Sequence, residues 1–149
     1  MVEHGVLPCT LEEVLSQSDI VSMHAPARPE VEGMLGEKHF RMMKPTAIFV
    51  NVGRAAIVDE RALYEHLRDQ PEFCAGIDTW WHEPGAEGPG SGFSTRYPFF
   101  DLPNVIGSPH NSGVTDGALQ VGAHKAAENV RRFLRGEPVI GVARREDYL

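Results

Sequence analysis

Residues 47–51, Ala-Ile-Phe-Val-Asn, form an apolar run without polar alternation. A strand with one wet face alternates; a run that does not is expected to be covered on both faces, as in parallel sheets flanked by helices. Three similar short runs occupy residues 20–24, 73–77 and 104–107, and residues 139–142 could add one more. Helical patterns separate them. Thr10 with Glu13 three residues later is a capping-box signature, predicting a helix over about 11–16 with Leu11, Val14 and Leu15 on one face. Residues 37–43 read as a short helix closed by Lys44-Pro45, and Asp59 opens another with Leu63 and Leu67 four apart. Residues 117–135 carry Leu119, Ala123, Ala126, Ala127, Val130, Phe133 and Leu134 at helical spacing, end in basic residues and stop at Gly136. Short strands alternating with helices predict an α/β fold with a parallel sheet and crossover helices. The longest loop candidate is the polar, Gly/Pro-rich stretch 83–96.

Composition narrows the partners. With 14 basic and 21 acidic residues the net charge is −7, which disfavours nucleic acid or an anionic membrane. No stretch approaches the ~20 apolar residues of a membrane span, and the first residues do not read as a signal peptide. Two distant cysteines make no disulfide framework or metal motif, so a reducing, cytoplasmic setting is expected, with Cys74 a small buried hydrophobe in its strand.

In such sheets ligands gather beyond the carboxyl ends of the strands. Three polar groups stand there: Arg54 after residues 47–51, the Asp78 to Glu83 segment after residues 73–77, and His110 after residues 104–107. A guanidinium forks onto a carboxylate and can polarise a neighbouring carbonyl; the alternative for Arg54 is a solvated loop residue. Histidine titrates where proton exchange with a ketone oxygen is useful; the alternative for His110 is a surface histidine. Glu83, aimed by Pro84, could orient and stabilise the charged form of His110, or be a plain loop acid. Asp78 could accept a hydrogen bond from a carboxamide or simply open a loop. A metal site drawn from His82, Glu83, Asp78 and His110 lacks ligand spacing, and no metal is expected.

The order of motifs resembles the D-isomer-specific 2-hydroxyacid dehydrogenases. Residues 18–26 (SDIVSMHAP) are similar to that family's S-D-hydrophobic-V-S-L-H-x-P strand, and residues 40–54 to its M-K-x-G-A…V-N-x-x-R segment. Val58-Asp59-Glu60, Gly76-Ile77-Asp78, Glu83-Pro84, Leu102-Pro103-Asn104-Val105 and Pro109-His110 follow in the family's order. The resemblance implies a partial doubly wound, Rossmann-like sheet whose first βαβ unit is missing, because no Gly-x-Gly-x-x-Gly occurs in the 149 residues. Residues 1–115 would be the later part of the NAD-binding domain, and 116–149 a C-terminal helix and tail leading towards an absent substrate domain. It implies NAD as cofactor, leaving NADP open, and a small 2-hydroxy or 2-oxo acid as substrate. Arg54 would bind substrate, Glu83 support His110, and His110 exchange the proton. Ala25, Pro26, Val52, Gly53, Asp78, His110, Asn111, Ser112 and Gly113 would line the nicotinamide side. Departures are Pro45 for glycine, Ala55 where glycine is common, Asn111 for an apolar residue, and a long stretch at 85–100. A homo-oligomer, or association with a missing portion, is expected. The competing expectation is a catalytically inactive remnant or interaction module that self-associates or docks on another subunit.

Overall fold

The structure, a computed structural model, describes residues 5–82 and 95–142. The chain divides into two units, residues 1–112 and 113–149. In the first, α1 (Leu11–Gln17), β1 (Ile20–Met23), α2 (Glu37–Phe40), β2 (Ile48–Asn51), α3 (Glu60–Asp69), β3 (Cys74–Ile77) and β4 (Val105–Gly107) follow in order. The four strands form one parallel sheet in the order β1-β2-β3-β4, an α/β Rossmann-like arrangement. Each step to the next strand needs a crossover, which α2 and α3 help supply after β1 and β2.

The register puts Val21, Phe49, Ala75 and Val105 in one row and Met23, Asn51, Ile77 and Gly107 in another. These rows lie on the same face, two residues apart. That face is packed with Leu15 of α1, Phe40 of α2, and Leu63 and Leu67 of α3. Phe40, Phe49, Phe73 and Phe99 are fully buried, each contributing about 1.5–3 kcal/mol by removal from water.

The expected burial of β2 on both faces is not met. Phe49 and Asn51 are buried, but Ile48 is 41% exposed, as are Ile20 at 61% and Ile106 at 80% on the same opposite face. Among the described residues of this unit, no element covers that face. Cys74 shares it and is half-exposed rather than buried.

Helix caps follow the sequence closely. Thr10 accepts from the Glu13 amide at 3.2 Å while Glu13 accepts from the Thr10 amide at 2.8 Å. Asp59 caps α3 by accepting from the Ala62 amide at 2.8 Å. α2 is shorter than the expected 37–43. It tightens into three-residue turns (Met42 N to His39 O, Met43 N to Phe40 O) as the chain swings towards Lys44-Pro45 and into β2.

The second unit holds α4 (Asp116–Leu134), capped by Thr115 and stopped where Gly136 turns at φ +68°. None of its described residues is buried. Residues 139–142 do not form the expected strand. Asn129 instead exchanges two hydrogen bonds with the Ile140 backbone, at 2.8 and 2.9 Å, and Arg132 Nε donates to the preceding Pro138 O.

Candidate active site

Parallel strands all end on one edge, so the segments after β1, β2, β3 and β4 share the carboxyl side of the sheet. Gly53 lets two of them close up: a Cβ there would stand 3.1 Å from Met23 O and 3.2 Å from Ala25 O. The Asn51 side chain steadies this turn by accepting from the Gly53 amide at 3.1 Å. Arg54 follows, exposed, with Nη1 donating to Gly53 O at 2.8 Å.

Across the sheet edge, Asp78 is 5% exposed and organises the turn after β4. Its carboxylate accepts from Ser108 Oγ at 2.5 Å and the Asn111 amide at 3.1 Å. It also accepts from the Ser112 amide at 3.2 Å and Ser112 Oγ at 2.5 Å. Burial alone would raise the Asp78 carboxyl. The hydrogen bonds from the Ser108 and Ser112 hydroxyls and the Ser112 and Asn111 amides outweigh it, holding the group below the usual carboxylate value. Inside this turn His110 adopts φ +52°, the single non-glycine residue with positive φ among those described. That conformation costs an L-residue about 1–2 kcal/mol, and strain of this kind concentrates at functional positions.

Arg54 and His110 line one cavity of 380 Å³, together with Ala27, Ala55, Ala56, Trp80 and Trp81. Two of the three groups expected to act together are thus at one place. Glu83, the third, lies outside the described residues, with the rest of 83–94. Ala25 is half-buried, Pro26 and Val52 are exposed and Gly53 is buried, all on this edge. Asn111 and Ser112 are exposed on the turn that Asp78 holds, and Gly113 belongs to the second unit. The tryptophans were not anticipated. The signal for them was present, since two adjacent indoles directly past a strand end stand where ligands gather.

The site also suits the nicotinamide end of a dinucleotide. Asn51 Nδ2, at the end of β2, and Thr79 Oγ1, just past β3, are buried polar atoms without partners among the described residues. Buried polar groups ordinarily find a partner, so a polar ligand group fits there. Among the described residues no group of three or more His, Cys, Asp or Glu is placed to hold a metal, and no helix is long and apolar enough to cross a membrane.

The parallel sheet with helices packed on it, and polar side chains past the carboxyl ends of its strands, places the molecule in the Rossmann-like α/β class. Residues 1–112 match the model of the D-isomer specific 2-hydroxyacid dehydrogenase NAD binding domain, and the chain belongs to that family. It is 35% identical over 128 residues to a glycerate dehydrogenase of Methylorubrum extorquens, covering 86% of this chain and 39% of the relative. Among solved structures, D-lactate dehydrogenase with NAD+ from Lactobacillus jensenii superposes with TM-score 0.78 at 30% identity, over 92% of this chain and 43% of that one. A family member from Xanthobacter autotrophicus in complex with NADPH and MES gives 0.72 at 30% identity, over 93% and 53%. The chain therefore spans about two fifths of the length of the curated relative it matches.

Proposed function

We propose that the protein interconverts a D-2-hydroxy acid and its 2-oxo acid with NAD or NADP, through the site at the carboxyl edge of the sheet. One observation supports this above all: Arg54 and His110 line a single cavity there. Arg54 binds the substrate carboxylate and polarises the adjacent carbonyl, since its planar fork matches the two oxygens of a 2-oxo acid. His110 gives a proton to the C2 oxygen during reduction and takes it back during oxidation. Glu83 is assigned to orient His110 and favour its charged form. Ala25, Pro26, Val52, Gly53, Asn111, Ser112 and Gly113 are assigned to the nicotinamide side, and Asp78 to the turn that carries three of them. When bound, the cofactor supplies or accepts the hydride at C2. The proposed setting is the cytoplasm.

The test is NADH oxidation against a panel of 2-oxo acids by the protein expressed from its own reading frame. His110→Ala should lower turnover by about a hundredfold or more, the usual worth of a positioned acid–base group. Near-normal turnover would remove His110 from its role.

A second reading is favoured by the open sheet face bearing Ile20, Ile48 and Ile106. Exposed apolar patches usually find partners. In addition, the 149 residues contain no Gly-x-Gly-x-x-Gly turn to cradle a pyrophosphate. On this reading the isolated polypeptide binds NADH poorly, has little activity and self-associates or docks on another subunit. Calorimetric titration with NADH paired with light scattering separates the two, and tight binding by a monomer would overturn the second.

A further inference from the structure

The geometry points to His66 as a proton-operated latch between α2 and α3. Neutral, its ring fills a slot against Phe40 and Phe73. Charged, it leaves that slot for a neighbouring cavity lined by carboxylates, and α2 loosens. The device does not depend on the reading of the Arg54 and His110 site. Its residues fall within 37–73, around the amino ends of β2 and β3, and all of them are described.

His66 stands in the last turn of α3. Its ring stacks on Phe40 of α2 at 5.8 Å and 29°, and meets Phe73 edge-on at 4.6 Å. Both phenylalanines are fully buried, and Phe40 also meets Phe49 of β2 edge-on at 5.5 Å. Phe40 is thus a wedge between β2 and His66, and it seats α2 on the core. In the slot His66 Nε2 is buried, without a hydrogen-bond partner among the described residues. A neutral imidazole can leave one nitrogen bare, but an imidazolium carries an N–H on both nitrogens as well as a charge. Charging the ring in place would set an unpaired, charged donor among aromatic carbons. Burial accordingly holds His66 below the usual histidine value.

Beside the slot lies a cavity of about 320 Å³, lined by His66 itself with Glu37, Arg41, Glu65, Asp69 and Gln70 among its neighbours. Glu37 and Arg41 reach it from α2 and its C-cap, and Glu65 and Asp69 from α3, while Phe73 adds ring carbon to the slot. Three carboxylates against one guanidinium favour an arriving imidazolium. Arg41 opposes it, with its own charge partly spent on Glu37; Glu65 pairs with Arg61 at 2.9 Å and Asp69 with Arg68 at 2.7 Å. Asp69 stands three residues after His66, on the same helix face, and already favours its protonation. The hydrogen bond from Arg68 holds Asp69 below the usual carboxylate value, so it is still ionised where His66 charges. A helical side chain has two accessible χ1 wells, so the ring can exchange places without unwinding α3. The vacated slot leaves Phe40 and Phe73 facing a void, which weakens the seat of α2.

Side-chain and amide NMR of the ¹⁵N-labelled protein, titrated from pH ~7.5 to ~5, reads the latch without any substitution. His66 should charge below the usual histidine range. Over the same interval its ring protons should lose the ring-current shifts imposed by Phe40 and Phe73, and protection of amides 37–41 should fall about tenfold. Asp69→Asn should lower the midpoint by about 0.2–0.7 pH unit, the size of a solvent-exposed pair, and Arg41→Gln should raise it. His66→Phe, whose ring cannot charge, should keep α2 protection flat across the range. Should that variant fail to fold, the wild-type titration decides alone. A His66 that stays neutral to pH ~5, or that charges with its ring-current shifts and α2 protection unchanged, would overturn the latch. So would an acid opening of α2 that persists in His66→Phe, or a midpoint indifferent to both charge substitutions.

Discussion

Replacing Asp78 by alanine removes the acceptor for four donors at once: the hydroxyls of Ser108 and Ser112 and the amides of Asn111 and Ser112. Hydrogen bonds to a charged group contribute about 1.5–3 kcal/mol each, so even the lower figure summed over four gives about 6 kcal/mol before water replaces any of them. Asn111 and Ser112 are exposed, and water can replace roughly half of what they lose. The expected cost is then about 3 kcal/mol. If the loss is global, the midpoint of thermal unfolding should fall by about 6–12 °C for a chain of this size. If the turn opens by itself, the loss should appear as local exchange instead.

Calorimetry and amide hydrogen exchange together distinguish these cases. Protection of the Asn111 and Ser112 amides should drop by about a hundredfold or more in Asp78→Ala, 1.4 kcal/mol being a factor of ten. Asp78→Asn, which keeps one acceptor oxygen, should fall between. The pH dependence has a fixed sign. Asp78 is held below the ordinary carboxylate value, so its contribution is complete above the unfolded range near pH ~4 and is lost as pH falls through the folded value. Asp78→Asn should erase that acid limb. Unchanged protection in Asp78→Ala, with a midpoint within about 1 °C of the wild type, would refute the claim that this carboxylate holds the turn.

Three further substitutions probe the same framework. Gly107→Ala would place a Cβ 2.8 Å from Phe100 and Trp80 ring atoms, so a loss of about 1–3 kcal/mol and a shifted Trp80 indole signal are expected by chemical denaturation and NMR. Asn104 Nδ2 donates to Leu67 O, Gln70 O and Phe73 O at the end of α3, and Asn104→Ala should cost about 1–3 kcal/mol with early fraying of α3 in hydrogen exchange. His66 stacks on Phe40 and meets Phe73 edge-on, and burial, set against the raising effect of Asp69 and joined by the lowering effect of Arg41, holds its pKa below the usual histidine value. Its contribution is therefore present above the unfolded value near pH ~6.5 and lost as pH falls through the folded one. His66→Phe should flatten that part of the stability profile, and an unaltered profile would assign it to another group.

The elements that could be read in advance are those whose signals are local. The capping pair Thr10 and Glu13, the Asp59 cap and the Gly136 stop each depend on contacts within a few residues, and each is found in the fold. Burial is a different matter. Ile48 sits in an unalternating run, yet whether its face is covered depends on elements packed from elsewhere, and within its own unit none covers it. The segment 139–142 has strand composition, but Asn129 of α4 takes both backbone groups of Ile140, and Arg132 takes Pro138 O just before it. The signal from β-branched residues was real and was outcompeted.

The site divides along the same line. Arg54 and His110 were legible because a polar side chain directly past a parallel strand has few places to point other than the carboxyl edge. The role of Asp78 was not, since its partners lie 30 to 34 residues further along the chain. Nor was the left-handed backbone of His110, a position for which asparagine or glycine would be the ordinary choice. The two facts explain each other. A strained histidine persists only where its surroundings over-determine it, and four hydrogen bonds to one buried carboxylate exceed the ~1–2 kcal/mol of strain. Because β3 and β4 are parallel neighbours, Asp78 and the turn after Gly107 meet at the sheet edge. The imidazole assigned to proton exchange is thus carried on a turn whose flanking residues are held by one carboxylate. Such a turn would suit the proposed acid–base role of His110 beside a substrate that Arg54 is proposed to bind.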